Sequence, residues 1–236
     1  MEDRAVVCIT CNGSGWKPVD GALQARPCEC QGELRRRNRT AAAAIPKRYY
    51  HCRLSNFRDR GNVSISSAKR RIAEYIAGWP QQEMGLLLIG GCGAGKTHLA
   101  VSALHEIIDL DKPGKLLFCN FQDLIQELHA SFSSDETPSK SELVRPILEA
   151  DLLVLDELGS QKPTAFVQDM LYYIVNSRYN DVKPTIFTTN YPDDSRRESD
   201  ERLEQRIGER LRSRLHEMTE RVIIDADDYR KSVGRI

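Results

Sequence analysis

The sequence predicts an α/β fold: a five-stranded, mostly parallel sheet flanked by helices, with a small cysteine-rich module ahead of it. Three observations carry this prediction. Short apolar runs recur from residue 85 to the C-terminus, separated by stretches of helical period. A glycine-rich turn stands between the first of those runs and the helix that follows it. Four of the seven cysteines crowd into the first thirty residues.

The chain of 236 residues is long enough for one large core and a small appendage. We divide it into residues 1–45, a cysteine module with a basic linker, and residues 46–236, the main domain. Thirty-four Lys and Arg balance thirty-four Asp and Glu, which excludes a generally cationic nucleic-acid binder and leaves only a local groove for that task. No apolar run reaches the roughly 18–20 residues that cross a bilayer, and the N-terminus lacks a basic-then-apolar signal pattern. A cytoplasmic protein that does not engage a membrane is expected. The odd cysteine count fits that reducing compartment better than a disulfide framework.

In chain order, residues 1–31 show neither helical nor strand period. Within them CITCNGSGW and RPCEC give C-x2-C, sixteen intervening residues, then C-x-C. Four thiolates from Cys8, Cys11, Cys28 and Cys30 are the complement of a tetrahedral structural Zn2+, and Gly13 and Gly15 permit the knuckle turn. Free thiols or an iron–sulfur cluster are the alternatives. The C-x-C half is tighter than usual, so His51 is a distant substitute ligand. The stretch RRRNRTAAAAIPKRYY (35–50) reads as a short helix or linker whose arginines are solvated.

Apolar runs suited to buried strands follow at GLLLIG (85–90), KLLFCN (115–120), DLLVLDE (151–157), PTIFTTN (184–190) and RVIIDA (221–226). Helices are expected over Lys96–Leu110, Phe121–Phe132, Ser141–Ala150 and Ala165–Tyr179. SFSSDETPSK (131–140) is polar and turn-rich, so it reads as a mobile loop. His98, His105 and His129 fall in predicted helices and read as structural.

Chemistry concentrates at the ends of the strands. GGCGAGKT (90–97) matches G-x-x-x-x-G-K-[ST] between a strand and a helix. The backbone N–H groups of Gly90, Gly91, Cys92, Gly93, Ala94 and Gly95 would line phosphate oxygens, helped by the helix dipole. Lys96 would reach the β- and γ-phosphates, and Thr97 would hold Mg2+. The strand LLVLDE delivers Asp156, suited to orient the Mg2+ shell, and Glu157, suited to polarise an attacking water. Asn190, ending another strand, is placed to sense the γ-phosphate. ATP hydrolysis is therefore expected rather than nucleotide storage.

Taken together, GGCGAGKTHLA, LLVLDELGSQKPT, TIFTTNYP, RIGERLRSRLHEM and DDYR resemble the bacterial DnaC/DnaI-type helicase loaders of the AAA+ class, over about residues 46–236. The IstB-type transposition helpers share much of the layout. The resemblance implies an AAA+ core that clamps ATP between neighbouring subunits, and a partner: a hexameric replicative helicase to be loaded onto single-stranded DNA. By the family's G-E-R-x-x-x-R pattern, Arg214 is the finger inserted into a neighbour's ATP site, with Arg210 the runner-up. Arg230, in DDYR, resembles the sensor arginine acting in cis. Tyr50, Cys52 and Phe57 fall where the family frames adenine, or else pack the core. By position, Phe132, Lys162, Thr164 and Phe166 match the places where such loaders contact DNA. Some loaders of this type dock on the helicase through an N-terminal zinc module.

Leu203, Ile207, Leu211 and Leu215 recur every four residues, which predicts one helix with a single apolar stripe, capped near Ser199 or Asp200. Arg206 and Arg212 read as ordinary surface charge beside it. Two other readings stand next to the loader: a transposition helper that binds duplex DNA and stimulates a transposase, and a nucleotide-gated adaptor with little turnover.

Overall fold

A computed structural model describes residues 8–18, 24–131, 139–194 and 201–232. Phe132, most of the 131–140 loop, and the proposed caps Ser199 and Asp200 lie outside the described residues. The main domain contains a five-stranded sheet formed by β3 (Gly85–Gly90), β4 (Leu116–Asn120), β5 (Leu152–Asp156), β6 (Thr185–Thr189) and β7 (Thr219–Ile224). Its order is β4-β5-β6-β3-β7, and every neighbouring pair is parallel. β3 and β5 read as unbroken apolar runs because both of their faces are covered. Leu86, Leu88, Val154 and Ile186 enter one core cluster, whereas Leu87, Ile89, Leu153, Leu155 and Phe187 enter the other.

On the first face lie α2 (Val63–Gly78) and α3 (Lys96–Asp109), the latter buried almost all round. The second face carries α4 (Phe121–Ala130), α5 (Lys140–Glu149), α6 (Ala165–Asn180), α7 (Leu203–Ile207) and α8 (Glu209–Met218). Asn62, Asn120, Ser139 and Thr164 cap α2, α4, α5 and α6 with side-chain oxygens, as their side-chain chemistry favours. Arg178 on α6 is 1% exposed and ties the second layer together. It donates to the carbonyls of Ile147, Ala150 and Pro184 and to Thr185 Oγ1, at 2.7–2.8 Å.

The cysteine module holds more structure than its lack of period implies. An antiparallel pair, β1 (Trp16–Pro18) and β2 (Ala25–Pro27), leads into α1 (Glu29–Ala42). The arginine run is thus helical, and part of it is paired rather than solvated. Arg35 and Arg39 reach Asp111, and Arg39 also donates to the Lys112 carbonyl at 2.6 Å. Ala43 and Ile45, just after α1, join the first core cluster.

The expected helix over residues 203–217 is two helices. Gly208, at φ +85°, breaks it between α7 and α8, while Leu203, Ile207, Leu211 and Leu215 all remain buried. A positive φ ends a right-handed helix, and glycine adopts it without steric penalty.

His105 on α3 is 2% exposed and contacts the Tyr49 carbonyl at 3.3 Å. Burial, with Arg53 adding repulsion, pushes its pKa from 6.5 down to about 4. The folded state therefore keeps a neutral ring, whereas the unfolded chain takes up a proton below 6.5. Stability is expected to fall as pH drops from 6.5 towards 4, by at most about 1.4 kcal/mol per pH unit from this residue. Urea denaturation across that range should show a shallower slope in His105→Gln, and an unchanged slope would contradict the assignment.

Candidate functional site

The C-terminal ends of β3, β5 and β6 form one rim, and a cavity of about 1080 Å³ opens on it. Its walls combine residues of the P-loop, Glu157, Thr188–Asn190, the segment around Arg48–Arg60, and Ala226–Tyr229. β3 lies between β6 and β7, so the turn it launches faces strand ends from both sides. Gly95 begins α3 at φ +94°, where a Cβ would sit 2.6 Å from the Phe57 ring. Glycine is required there by both conformation and space.

Lys96 is 7% exposed, and its Nζ donates to the carbonyls of Gly90 and Gly91 and to Asn190 Oδ1 at 2.6–2.8 Å. The two residues assigned separately to the γ-phosphate from sequence are therefore in direct contact. Thr97 Oγ1 donates to Asp156 Oδ1 at 2.9 Å, and Thr188 Oγ1 donates to the same oxygen at 2.6 Å. Asp156 is 1% exposed, and burial raises its carboxyl above the ordinary range against the pull of the two hydroxyls. A carboxylate beside a P-loop hydroxyl is the hard-oxygen donor set that Mg2+ takes, together with phosphate and water. Thr97 and Asp156 thus fit the ion assigned to them.

Glu157 is exposed to the cavity, and its backbone lies at φ +61°. Few non-glycine residues occupy that region. The conformation is held by its own N–H, which donates to Thr188 Oγ1 at 3.0 Å. Thr188 thus serves both acidic residues, and sequence reasoning missed it. The signal was present: Thr188 stands two residues before Asn190 at the end of β6, and side chains two apart along a strand point to the same face. The C-terminal segment DDYR lies beside the P-loop, where the Tyr229 N–H donates to the Gly93 carbonyl at 3.2 Å. Arg230 follows in the short α9 (Tyr229–Ser232); its side chain lies outside the described residues.

Of the residues expected around adenine, Cys52 and Phe57 line the cavity, and Tyr50 is not among its lining residues. Among those expected at DNA, Lys162 is exposed. Thr164 accepts from the Val167 N–H as the α6 cap, and Phe166 stacks on His129 at 4.7 Å. Arg214 rests on the rings of Tyr172 and Tyr179, whereas Arg210 is exposed.

Two arginines read as surface charge are built into the fold. Arg206 donates to the carbonyls of Gly159, Ser160 and Gln161, pairs with Glu201 and lies over the Tyr191 ring. Arg212 pairs with Asp193, which is buried and also paired with Arg221. Both escaped sequence reasoning because their partners are loop groups whose approach depends on the tertiary fold.

In the N-terminal module, Cys8 Sγ lies 3.8 Å from Cys28 Sγ, and Cys11 Sγ lies 3.5 Å from Cys30 Sγ. The four sulfurs all fall within 4.8 Å of one another, as ligands of one tetrahedral ion must. The N–H of Gly15 points at Cys11 Sγ, and backbone donors of Thr10 and Cys11 hold the Cys8 thiol down to about 6. The residues fit a structural metal, and Cys30 in α1 couples that cluster to the helix entering the main core.

A P-loop launched from the strand between β6 and β7, an adjacent Asp–Glu pair on β5 and a polar end on β6 define a P-loop ATP-binding protein of the AAA+ class. The chain belongs to the IstB-like ATP binding protein family, whose profile matches residues 33–235. It is similar to the replicative helicase loader DnaC of Escherichia coli (strain K12), with 25% identity over 222 residues covering 92% of this chain and 85% of that protein. A crystal structure of the DnaC helicase loader matches with a TM-score of 0.65 and 33% identity, over 76% of this chain and 99% of that one. AMPPCP-bound DnaA from Aquifex aeolicus shares the fold, with a TM-score of 0.61 at 20% identity over 78% of this chain and 52% of that one.

Arg206→Ala should destabilise the protein by about 2 kcal/mol, because three backbone carbonyls lose a charged donor. Arg206→Lys should restore only part of this, since an ammonium cannot span them as a planar fork. Urea unfolding checks both, and equal stability of all three proteins would contradict the role.

Proposed function

We propose that this protein is an ATPase that loads a hexameric replicative helicase onto single-stranded DNA. The observation that carries the reading is its similarity to the DnaC loader structure, at 33% identity across 99% of that chain. The site supplies the chemistry. P-loop amides from Gly90 to Gly95 and the Lys96 ammonium bind the phosphates, and Thr97 and Asp156 would hold Mg2+. That ion, when bound, neutralises charge on the phosphate oxygens. Glu157, exposed to the cavity, polarises the attacking water, and Asn190, already bonded to Lys96, orients it. Arg230 acts on the same nucleotide in cis.

Arg214 completes a neighbouring subunit's site, leaving its tyrosine contacts to do so. The protein therefore self-associates to work, and turnover by the lone chain is weak. Residues 46–236 form the ATPase domain. Residues 1–45 form a Zn2+ module, held by Cys8, Cys11, Cys28 and Cys30, that docks the helicase. Single-stranded DNA runs past Phe132, Lys162, Thr164 and Phe166, since cationic and aromatic side chains are the set that sequence-tolerant binding uses. The protein acts in the cytoplasm.

ATPase assays with the cognate helicase, single-stranded DNA and duplex DNA test this reading. Stimulation is expected from helicase and single strand together. Stimulation by duplex DNA alone would instead favour the transposition helper, and no response to any partner would favour the adaptor. Glu157→Gln should still bind ATP while losing at least about a hundredfold in turnover. Arg214→Ala should leave ATP affinity of the single subunit nearly intact and remove about a thousandfold of assembly-dependent rate.

A further inference from the structure

The wall of the nucleotide cavity formed by residues 48–60 carries a second cluster of ligating atoms. His51 and Cys52 lie in the loop after a short 3-10 turn, Lys47–Tyr49, and His98 lies in the first turn of α3. One ligand atom from each, two imidazole nitrogens and the Cys52 sulfur, all lie within 4.8 Å of one another. His51 Nε2 is 4.0 Å from Cys52 Sγ, and the two imidazoles meet edge to face with centroids 6.0 Å apart. His98 Nε2 lies 3.1 Å from the Arg53 carbonyl and 3.0 Å from Asn56 Oδ1. Metal-bound imidazoles are oriented by such a hydrogen bond from one ring nitrogen while the other keeps its lone pair.

A buried cysteine is ordinarily inert packing. Cys119, partly buried against the second core cluster, behaves in that way: its thiol donates to the neighbouring Asn120 carbonyl, and no histidine groups with it among the described residues. Cys52 differs. It is 1% exposed, yet two histidines converge on it at the edge of a cavity open to solvent. Neither the phosphate chemistry nor the four-cysteine cluster uses any of these three residues.

We propose that His51, Cys52 and His98 form a second metal site, for Zn2+ or an ion of similar softness, in the wall of the nucleotide cavity. One thiolate with two imidazoles is a borderline-soft donor set, and three protein ligands leave a coordination position open towards the cavity. On binding, the Cys52 S–H bond breaks, its proton leaves to solvent and the sulfur bonds to the ion. The bound ion ties the 51–53 loop to the start of α3, directly after Lys96 and Thr97.

The test uses the full chain, with Zn2+ as the probe and metal content read after dialysis against a weak chelator. With Cys8→Ser and Cys11→Ser removing the N-terminal cluster, one equivalent of Zn2+ should remain bound. Adding His51→Ala, a change at an exposed side chain, should weaken that equivalent by about tenfold or more. In the otherwise native chain, His51→Ala alone should lower the metal count by one equivalent. With Co2+ in its place, Cys52→Ser should abolish a thiolate-to-metal band that survives Cys8→Ser and Cys11→Ser. If the Cys8/Cys11 variant binds no Zn2+, or if His51→Ala leaves binding unchanged in both backgrounds, the site does not exist.

Discussion

The buried carboxylate of Asp156 is the constraint around which the site is arranged. It sits at the end of β5, beneath the P-loop helix and beside β6, with 1% of its surface exposed. An ionised carboxylate is tolerated there only with hydrogen-bond donors supplied in fixed positions. Thr97 donates from α3 and Thr188 from β6, so one oxygen fixes three elements relative to one another. Thr188 in turn accepts from the Glu157 N–H and holds that residue in a left-handed backbone conformation. The geometry of the acidic pair is thus set by a hydroxyl on β6, the strand between β5 and the one that launches the P-loop.

Strand order makes this possible. β6 stands between β5 and β3, so Asp156 and the P-loop approach each other across the end of an intervening strand. The intervening strand supplies Thr188 to the one and Asn190 to the other. Arg206 extends the same linkage outward, gripping the carbonyls after Glu157 from the helix preceding Gly208. The loop after the acidic pair is therefore mechanically joined to the α7–α8 unit that bears Arg214.

The N-terminal module shows a different balance. Its short strands bury almost nothing, and four cysteine sulfurs gather within 4.8 Å of one another beside them. α1 then carries the chain from Cys30 to Ala43 and Ile45 in the main core, braced by Arg35 and Arg39 on Asp111. The four-cysteine cluster and the apolar core thus meet through one helix.

The five strands and the first four main-domain helices after the P-loop were legible to within a few residues, because local periodicity and punctuation decide them. Runs such as LLLI and LLVL state that both sheet faces are covered, and GGCGAGKT states what the first turn does. Lys96, Thr97, Asp156, Glu157 and Asn190 were nameable for the same reason: each is fixed by its spacing from a strand end. Strand order was not legible, since no local pattern says that β6 lies between β5 and β3. Nor were Arg206, Arg212 and Arg178, whose partners are carbonyls, a hydroxyl and carboxylates brought close only by the packed fold. The break at Gly208 was missed because the four-residue apolar stripe continues across it. The sequence by itself determined which chemical groups the protein carries and the elements that present them. The tertiary structure alone decided which groups meet, because contact between distant residues depends on the order in which strands assemble.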